Sequence, residues 1–372
     1  MLKDLVLLRG CFRLLFLYDV AEAIDLKRLR ELLGPRGGPV KGVFPRRTPE
    51  YVRFEEAPII EHIEPINLGA GQRVACSLRY YSFAVLVVQL EVPFEGDWPA
   101  VVSQASRWMD AAELESHARE IGRRHLERVA PAVIRPTQDW LSESYFITNL
   151  EQVVKPGGEQ ARAEELLADQ ASGLVQLVRG EFTPLAPKTS AEILDASVSY
   201  YPTDLVVVGS TAAVIYDRPE DATATFQVLE YAKMQLLEFR YYDGLMTRLL
   251  SDVYDRLEAK RNLLLERWSL PRDAERFNTI RLDVMELTER VDNAIKFVSD
   301  VYYARVYRLA ASRLGVSEYR NLVEEKLRTM GELYDFMVDQ FNQSRSFILE
   351  LAVAVMALLD VILFAILLAR GG

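Results

Sequence analysis

The residue types that support catalysis are few in this sequence, and their spacing matches no familiar catalytic pattern. The 3 histidines are His62, His117 and His125, and none has a partner at metal-ligand spacing or belongs to an HExxH motif. No G-x-S-x-G nucleophile elbow occurs. Cys11 and Cys76 lie in apolar strand-like runs, where a free thiol usually behaves as a small buried hydrophobe. We therefore expect no enzyme activity, no metal and no cofactor.

Two glycine-containing segments share only part of a nucleotide-binding motif. GPRGGPVKG at 34–42 lacks the GK[ST] ending of a P-loop, and it does not lie between a strand and a helix. LGAGQR at 68–73 has two glycines of a dinucleotide fingerprint but lacks the third. We interpret the first segment as a loop and the second as a hairpin turn.

A basic segment interrupts an otherwise acidic protein. The formal net charge of −10 argues against direct DNA binding, which usually needs a basic face. Residues 27–47 nevertheless contain seven Lys or Arg residues and a single acid, Glu31. Four of these cations are candidate contacts with anionic lipid headgroups or ribosomal RNA, namely Arg36, Lys41, Arg46 and Arg47. The alternative is a solvated loop.

A second polar group occurs within a long helical pattern at 236–245, LLEFRYYDGL. Asp243 takes a position on the packing seam whose neighbours Phe239 and Met246 are apolar, and Glu238 and Arg240 lie just upstream. Because an unpaired buried charge is very costly, this carboxylate needs a partner. The pattern indicates either a structural ion pair that fixes the helix register or a binding site between helices.

The elements that would position these residues divide the chain into three parts. Up to residue 217, strand-like runs at 13–20 and 77–92 and a hairpin at 204–217 alternate with helical patterns at 98–109, 111–129 and 158–178, which predicts an α+β domain over 1–217. Residues 218–346 keep a 3–4 apolar spacing over several heptads, which predicts an antiparallel, coiled-coil-like rod of three helices.

The third part, 347–372, is predicted to be a C-terminal transmembrane helix. Leu351 to Ala369 is a run of 19 residues whose only charge is Asp360. Its apolar residues contribute about −4 to −7 kcal/mol to insertion, against about +2.5 to +3.5 kcal/mol for a central Asp. This sum predicts a tail anchor. Arg328 and Arg345 before the span, against Arg370 alone after it, favour an orientation that keeps the bulk of the chain in the cytoplasm.

The C-terminal third resembles the Rmd/Sif family, which is named for a requirement in meiotic nuclear division. The resemblance rests on LEYAKMQLLEFRYYD, on VEEKLRTMGELYDFMVDQFNQSRSFILE and on the order Arg345, Leu349-Glu350, Asp360. It implies an α+β domain, long helices and a membrane-associated C-terminus, without established catalytic residues. Mitochondrial members are oligomeric and are implicated in organellar translation.

These features together predict a membrane-anchored, non-enzymatic scaffold. It would form homo-oligomers and tether a cytoplasmic protein or ribonucleoprotein, by analogy the translation machinery, to the bilayer. The alternative is a soluble oligomer with a buried C-terminal helix and a ligand-binding or enzymatic α+β domain.

Overall fold

The computed structural model describes residues 7–34, 37–39, 57–67, 73–258, 279–286, 289 and 301–370 of the 372-residue chain. The chain separates into two compact units. Unit 1 contains residues 1–241 and 288–320, and unit 2 contains 242–287 and 321–372. The three domains expected from the sequence remain a prediction.

Within the described residues, unit 1 is built on one sheet of nine strands. In chain order they are β1 Leu7–Ile24, β2 Gly37–Pro39, β3 Ile59–Asn67, β4 Arg73–Tyr80, β5 Val85–Gly96, β6 Val133–Val154, β7 Ser197–Val198, β8 Leu205–Val208 and β9 Ala212–Tyr216. Their order across the sheet is β2-β3-β4-β5-β1-β6-β9-β8-β7. The sheet is mixed, because β6 and β9 run parallel while the other neighbouring pairs run antiparallel.

Nine helices with full bounds occur in the described part of the chain. They are α1 Leu26–Leu33, α2 Trp98–Met109, α3 Ala112–Arg128, α4 Ala163–Asp169, α5 Ala171–Arg179, α6 Pro187–Leu194, α7 Pro219–Glu258, α8 Val301–Leu314 and α9 Val316–Arg370. Residues 279–286 are also helical. A short 3-10 turn covers Ala130–Ala132.

Local sequence signals account for several of these boundaries. The carboxylate of Asp25 caps α1 by accepting from the backbone amides of Lys27 and Arg28 at 3.0 and 2.9 Å. The carboxylate of Asp97 caps α2 in the same way. The predicted hairpin at 204–217 is confirmed by the antiparallel pairing of β8 with β9. The single helix predicted over 158–178 is wrong, since α4 and α5 are separated at Gln170.

The two faces of the sheet have different chemistry. The even-numbered side chains of β1 from Phe12 to Tyr18 lie in the large apolar core together with residues of α1 to α5. Because side chains alternate along a strand, the odd-numbered residues, including Cys11 and Arg13, point to the second face. Residues of α7 contact this second face.

The predicted C-terminal anchor is not supported. The segment is the end of α9, which runs without a break from Val316 to Arg370. Among the residues described, no helix is both long enough and apolar enough to cross a membrane. The predicted transmembrane fold class and the membrane localisation are therefore wrong. The bilayer as a partner and the role of Leu351, Asp360 and Ala369 stay predictions. The insertion sum had left only a narrow margin, because the central Asp cancels about half of the apolar gain.

Candidate functional site

A layer of paired charges lies between the second face of the sheet and α7. We call this set of side chains the charge layer; its members are Arg13, Arg79, Glu143, Glu230, Lys233 and Arg240. The strand register places the strand residues together. Leu17 of β1 lies between Val87 and Glu143, and Val87 in turn lies opposite Arg79. Arg79 and Glu143 therefore belong to one row across the sheet, although they are distant in sequence.

The first half of the charge layer is centred on Glu230. Its carboxylate is fully buried and forms an ion pair with Arg79. The Tyr81 hydroxyl donates to the other carboxylate oxygen at 3.1 Å. Burial raises the pKa of Glu230, and the neighbouring guanidinium opposes that rise. The Phe226 ring lies close to two guanidinium carbons, that of Arg13 at 4.9 Å and that of Arg79 at 5.0 Å.

The second half is centred on Glu143 of β6. Lys233 Nζ lies 2.6 Å from Glu143 Oε2, and Arg240 pairs with Oε1. Burial lowers the pKa of Lys233 to about 8. Residues 226, 230, 233 and 240 follow helical spacing, so one side of α7 faces the sheet. The charge layer thus fastens α7 to the sheet, and its buried carboxylates are occupied by cations of the same chain.

A separate polar cluster lies on the apolar-core side of the sheet. The Glu61 carboxylate accepts from the Tyr80 hydroxyl at 2.9 Å and contacts His125 Nδ1 at 3.2 Å and Arg128 Nη1 at 3.4 Å. Burial alone would raise the pKa of Glu61, but hydrogen bonds from His125 and Tyr80 outweigh burial and hold it below its ordinary value. Sequence spacing missed this arrangement because 64 residues separate His125 from Glu61.

Neither polar cluster is a metal centre. Over the parts of the chain that the structure describes, no group of three or more His, Cys, Asp or Glu side chains is arranged to hold a metal ion. Burial raises the pKa of both Cys11 and Cys76 to about 12, which keeps these thiols protonated and unreactive near neutral pH.

The three polar residues predicted on the helical seam do not form one site. Arg240 belongs to the charge layer of unit 1, and Glu238 is half-buried in the same helix. Asp243 lies in unit 2, where its Oδ1 is 2.5 Å from Lys326 Nζ. The same ammonium donates to the Thr247 hydroxyl at 2.6 Å. The sequence suggested Arg240 as the nearby cation for Asp243, whereas the structure pairs Asp243 with Lys326.

The predicted lipid or RNA contacts cannot be placed in the same way. Arg36, Lys41, Arg46 and Arg47 lie outside the described residues. The preceding cations of the basic segment, Lys27, Arg28 and Arg30, are exposed on α1.

Unit 2 differs from unit 1 in how much apolar surface it exposes. Of the sixteen large apolar side chains exposed in the described residues, nine belong to unit 2. They are Tyr254, Leu282, Met285, Leu322, Phe336, Val353, Val355, Met356 and Leu359. The last four lie within seven residues of α9 and are 60%, 48%, 57% and 57% exposed. We call residues 351–369 the apolar end of α9.

Fold and site together define unit 1 as a mixed-sheet domain closed on its second face by a long helix. Comparison with known families then identifies the family of this domain. The family model described as the N-terminal domain of the uncharacterized protein MJ0711 matches residues 9–222, more than half of the chain. The chain therefore belongs to the family of that domain.

One relative is similar over part of its length. The chain is 21% identical to the uncharacterized protein MJ0711 of Methanocaldococcus jannaschii over 205 residues, which cover 55% of this chain and 62% of the relative. The chain thus spans less than two thirds of that relative. No solved structure matches it significantly.

The family match also corrects the resemblance drawn from the sequence. Nothing in these comparisons points to the Rmd/Sif family, so that assignment is wrong. It rested on the order of charges and apolar residues in the long C-terminal helices. Many unrelated helices share such an order, because the 3–4 spacing is imposed by helix packing itself.

Proposed function

We propose that the protein is a non-enzymatic, self-associating binding protein. The helical unit 2 assembles copies of the chain and buries the exposed apolar side chains of α9 between Val353 and Leu359. Unit 1 is the module that binds a partner. The single observation that carries the proposal is the exposed apolar surface of α9 from Val353 to Leu359.

An exposed surface of this kind requires a cover. Val353, Val355, Met356 and Leu359 lie on one side of the helix, within an arc of about 160°, because successive residues turn by about 100°. A helix with an apolar side normally buries that side against another element. A symmetric assembly brings the same side of identical helices together.

The free energy available from this burial is large enough to support assembly. Fully burying a large apolar side chain contributes about 1.5–3 kcal/mol. Each of the four side chains is roughly half-exposed, so the remaining gain is about 3–6 kcal/mol per copy. The other five exposed apolar side chains of unit 2 would add to this gain.

The chemistry of unit 1 supports binding rather than catalysis. Glu230 is held by Arg79 and Glu143 by Lys233, so these buried carboxylates are engaged within the protein. Catalytic acids and bases need access to a substrate as well as a suitable pKa. The charge layer is covered by α7, and its ion pairs hold this helix on the sheet instead of forming a reaction centre.

Sedimentation velocity of the full chain tests the self-association. We expect a species larger than the 42.4 kDa chain at micromolar concentration. The double variant Met356→Lys/Leu359→Lys should dissociate at roughly 10- to 100-fold higher concentration, since it removes about half of the apolar gain and adds repelling charges. Far-UV circular dichroism should remain that of the wild type, because both side chains are exposed.

A matched control substitutes an exposed leucine of unit 1. Leu32 on α1 is 40% exposed, and Leu32→Lys should leave the assembly unchanged. A wild-type protein that sediments as a 42.4 kDa monomer at every concentration would overturn the proposal. So would an equal loss of assembly in the α1 and α9 variants.

A further inference from the structure

An exposed group of tyrosines in unit 1 lies apart from both polar clusters. Tyr200 and Tyr201 occupy the loop between β7 and β8, and their side chains are 58% and 62% exposed. Tyr302, in the first turn of α8, is buried and its ring packs against that of Tyr200. We call these three side chains the tyrosine patch.

The rings of the tyrosine patch are set at steep angles to one another. The centroids of Tyr200 and Tyr201 are 4.7 Å apart at an interplanar angle of 86°. Those of Tyr200 and Tyr302 are 5.7 Å apart at 61°. Tyr200 and Tyr201, whose rings are nearly perpendicular, therefore offer π-faces in two directions, and a cation is attracted to the face of an aromatic ring.

The loop that carries the two exposed rings is fixed by several hydrogen bonds. The Asp204 carboxylate accepts from the backbone amides of Tyr200 and Tyr201 at 2.7 and 2.9 Å. The Ser199 hydroxyl donates to the Tyr201 carbonyl at 2.7 Å. The backbone of the next residue, Pro202, accepts from Ala163 at 2.8 Å. Because the backbone of this loop is already ordered, binding of a ligand to these rings would cost little conformational entropy.

The surrounding charge favours a cation. Burial raises the pKa of the Tyr302 hydroxyl, and the negative charges of Asp204 and Asp217 raise it further. Burial raises the pKa of Asp217 to about 6, so this carboxylate is still negative at neutral pH. The nearby cation Arg218 is paired with Asp221 at 3.3 Å.

The fold itself repeatedly pairs guanidinium groups with aromatic rings. Besides the two arginines at Phe226, Arg119 lies 5.1 Å from the Tyr18 ring and Arg123 lies 5.4 Å from the Trp140 ring. In each of these cases the ring and its cation come from the same chain. No cation–π partner is found for Tyr200 or Tyr201 among the described residues.

We propose that the tyrosine patch binds an arginine side chain of a basic segment of a partner protein. The planar guanidinium stacks on the exposed rings, and the carboxylates of Asp204 and Asp217 favour its positive charge. Aromatic side chains and arginine are the residues most enriched at the centres of protein interfaces. The inference rests on the proposed binding role of unit 1 and is independent of self-association through α9.

Fluorescence anisotropy with two labelled peptides tests the inference. The basic probe is GPRGGPVKGVFPRR, which has the sequence of residues 34–47 with four cations and no acid. The matched probe replaces each Arg and Lys by Gln. We expect the full-length protein to bind the basic probe at least tenfold more tightly than the matched probe, and binding should weaken as salt increases.

Variants of the patch separate ring stacking from general electrostatics. Tyr200→Ala/Tyr201→Ala should weaken binding of the basic probe roughly 5- to 30-fold, whereas Tyr200→Phe/Tyr201→Phe keeps both π-faces and should bind within about twofold of the wild type. Phe182→Ala is the control, since Phe182 is another exposed aromatic of unit 1. Circular dichroism of each variant checks that the fold is retained.

The outcomes are distinct from those of the assembly test. Equal affinity for the two probes, or undiminished binding by the double Ala variant, would overturn the inference. Loss of binding in the double Phe variant would also overturn it, because the hydroxyls and not the rings would then be the contact. If the Met356→Lys/Leu359→Lys variant is monomeric and still binds the basic probe, the patch and the assembly surface act separately. If peptide binding fails while the wild type still assembles, only the partner-binding role of unit 1 is lost.

Discussion

Neutralising Glu230 should destabilise the protein far more than breaking an exposed ion pair. The variant Glu230→Gln keeps the size of the side chain and its hydrogen bond to Tyr81, but it removes the negative charge beside Arg79. Arg79 is also largely buried, with 14% of its side chain exposed, so its guanidinium would remain in the protein without a counterion. Breaking a buried pair from one side costs about 3–5 kcal/mol.

Urea unfolding followed by tryptophan fluorescence measures this cost. Three of the four tryptophans, Trp98, Trp108 and Trp140, lie in unit 1 and report on its unfolding. With a urea dependence of about 2–3 kcal/mol per molar, the midpoint should fall by roughly 1–2.5 M. The matched control is Arg124→Ala, which breaks the exposed pair with Glu120 and should change the free energy of unfolding by less than about 1 kcal/mol.

A double variant separates the cost of an orphaned charge from the value of the pair. Arg79→Met/Glu230→Leu removes both charges and replaces them with apolar groups, and it should recover most of the stability lost in Glu230→Gln. A loss of under 1 kcal/mol in Glu230→Gln would refute the reasoning, because the carboxylate would then have to be solvated. A double variant less stable than the single one would also refute it.

Three further predictions concern other positions. Burial raises the pKa of Asp19 to about 7, so the native state loses stability as the pH rises from about 4 through 7. The variant Asp19→Asn should therefore be about 2–4 kcal/mol more stable than the wild type at pH 8 and no more stable at pH 4, as measured by urea unfolding. A Cβ at Gly10 would overlap the Asn149 carbonyl oxygen at the β1–β6 register shift, so Gly10→Ala should lower the free energy of unfolding by about 1–3 kcal/mol in the same assay. Lys326→Met should destabilise unit 2 by about 1 kcal/mol, and adding Asp243→Leu should cost little more in a double-mutant cycle followed by thermal unfolding.

Features that depend on neighbouring residues could be predicted from the sequence. The helix Trp98–Met109 has the bounds expected from its pattern, because Asp97 caps it and Pro99 fits its first turn. The hairpin before Asp217 and the start of α7 at Pro219 follow from equally local signals. Nothing in these segments requires knowledge of distant partners.

The charge layer could not be predicted in this way. Arg79 and Glu230 are 151 residues apart, and each occurs in a sequence that reads as an ordinary strand or helix. The sequence singles out Arg240 only by its nearness to Asp243, yet the two side chains pair with different partners in different units. Pairings of this kind are fixed by strand register, which no short pattern encodes.

The apolar end of α9 shows a second limit of prediction from the sequence. A run of apolar residues with one central Asp satisfies a membrane span and a buried helix almost equally well by composition. The interpretation then depends on a difference of a few kcal/mol between large terms. A difference of this size does not distinguish a helix covered by lipid from a helix covered by protein.

The position of α7 has a practical consequence for any shortened form of the protein. A fragment that ends with the family match at residue 222 would keep all nine strands but lose Phe226, Glu230 and Lys233. The uncovered face of the sheet would then expose Arg79 and Glu143 without their ion-pair partners, together with apolar side chains that promote aggregation. A stable excised form of the domain should therefore extend at least to Arg240.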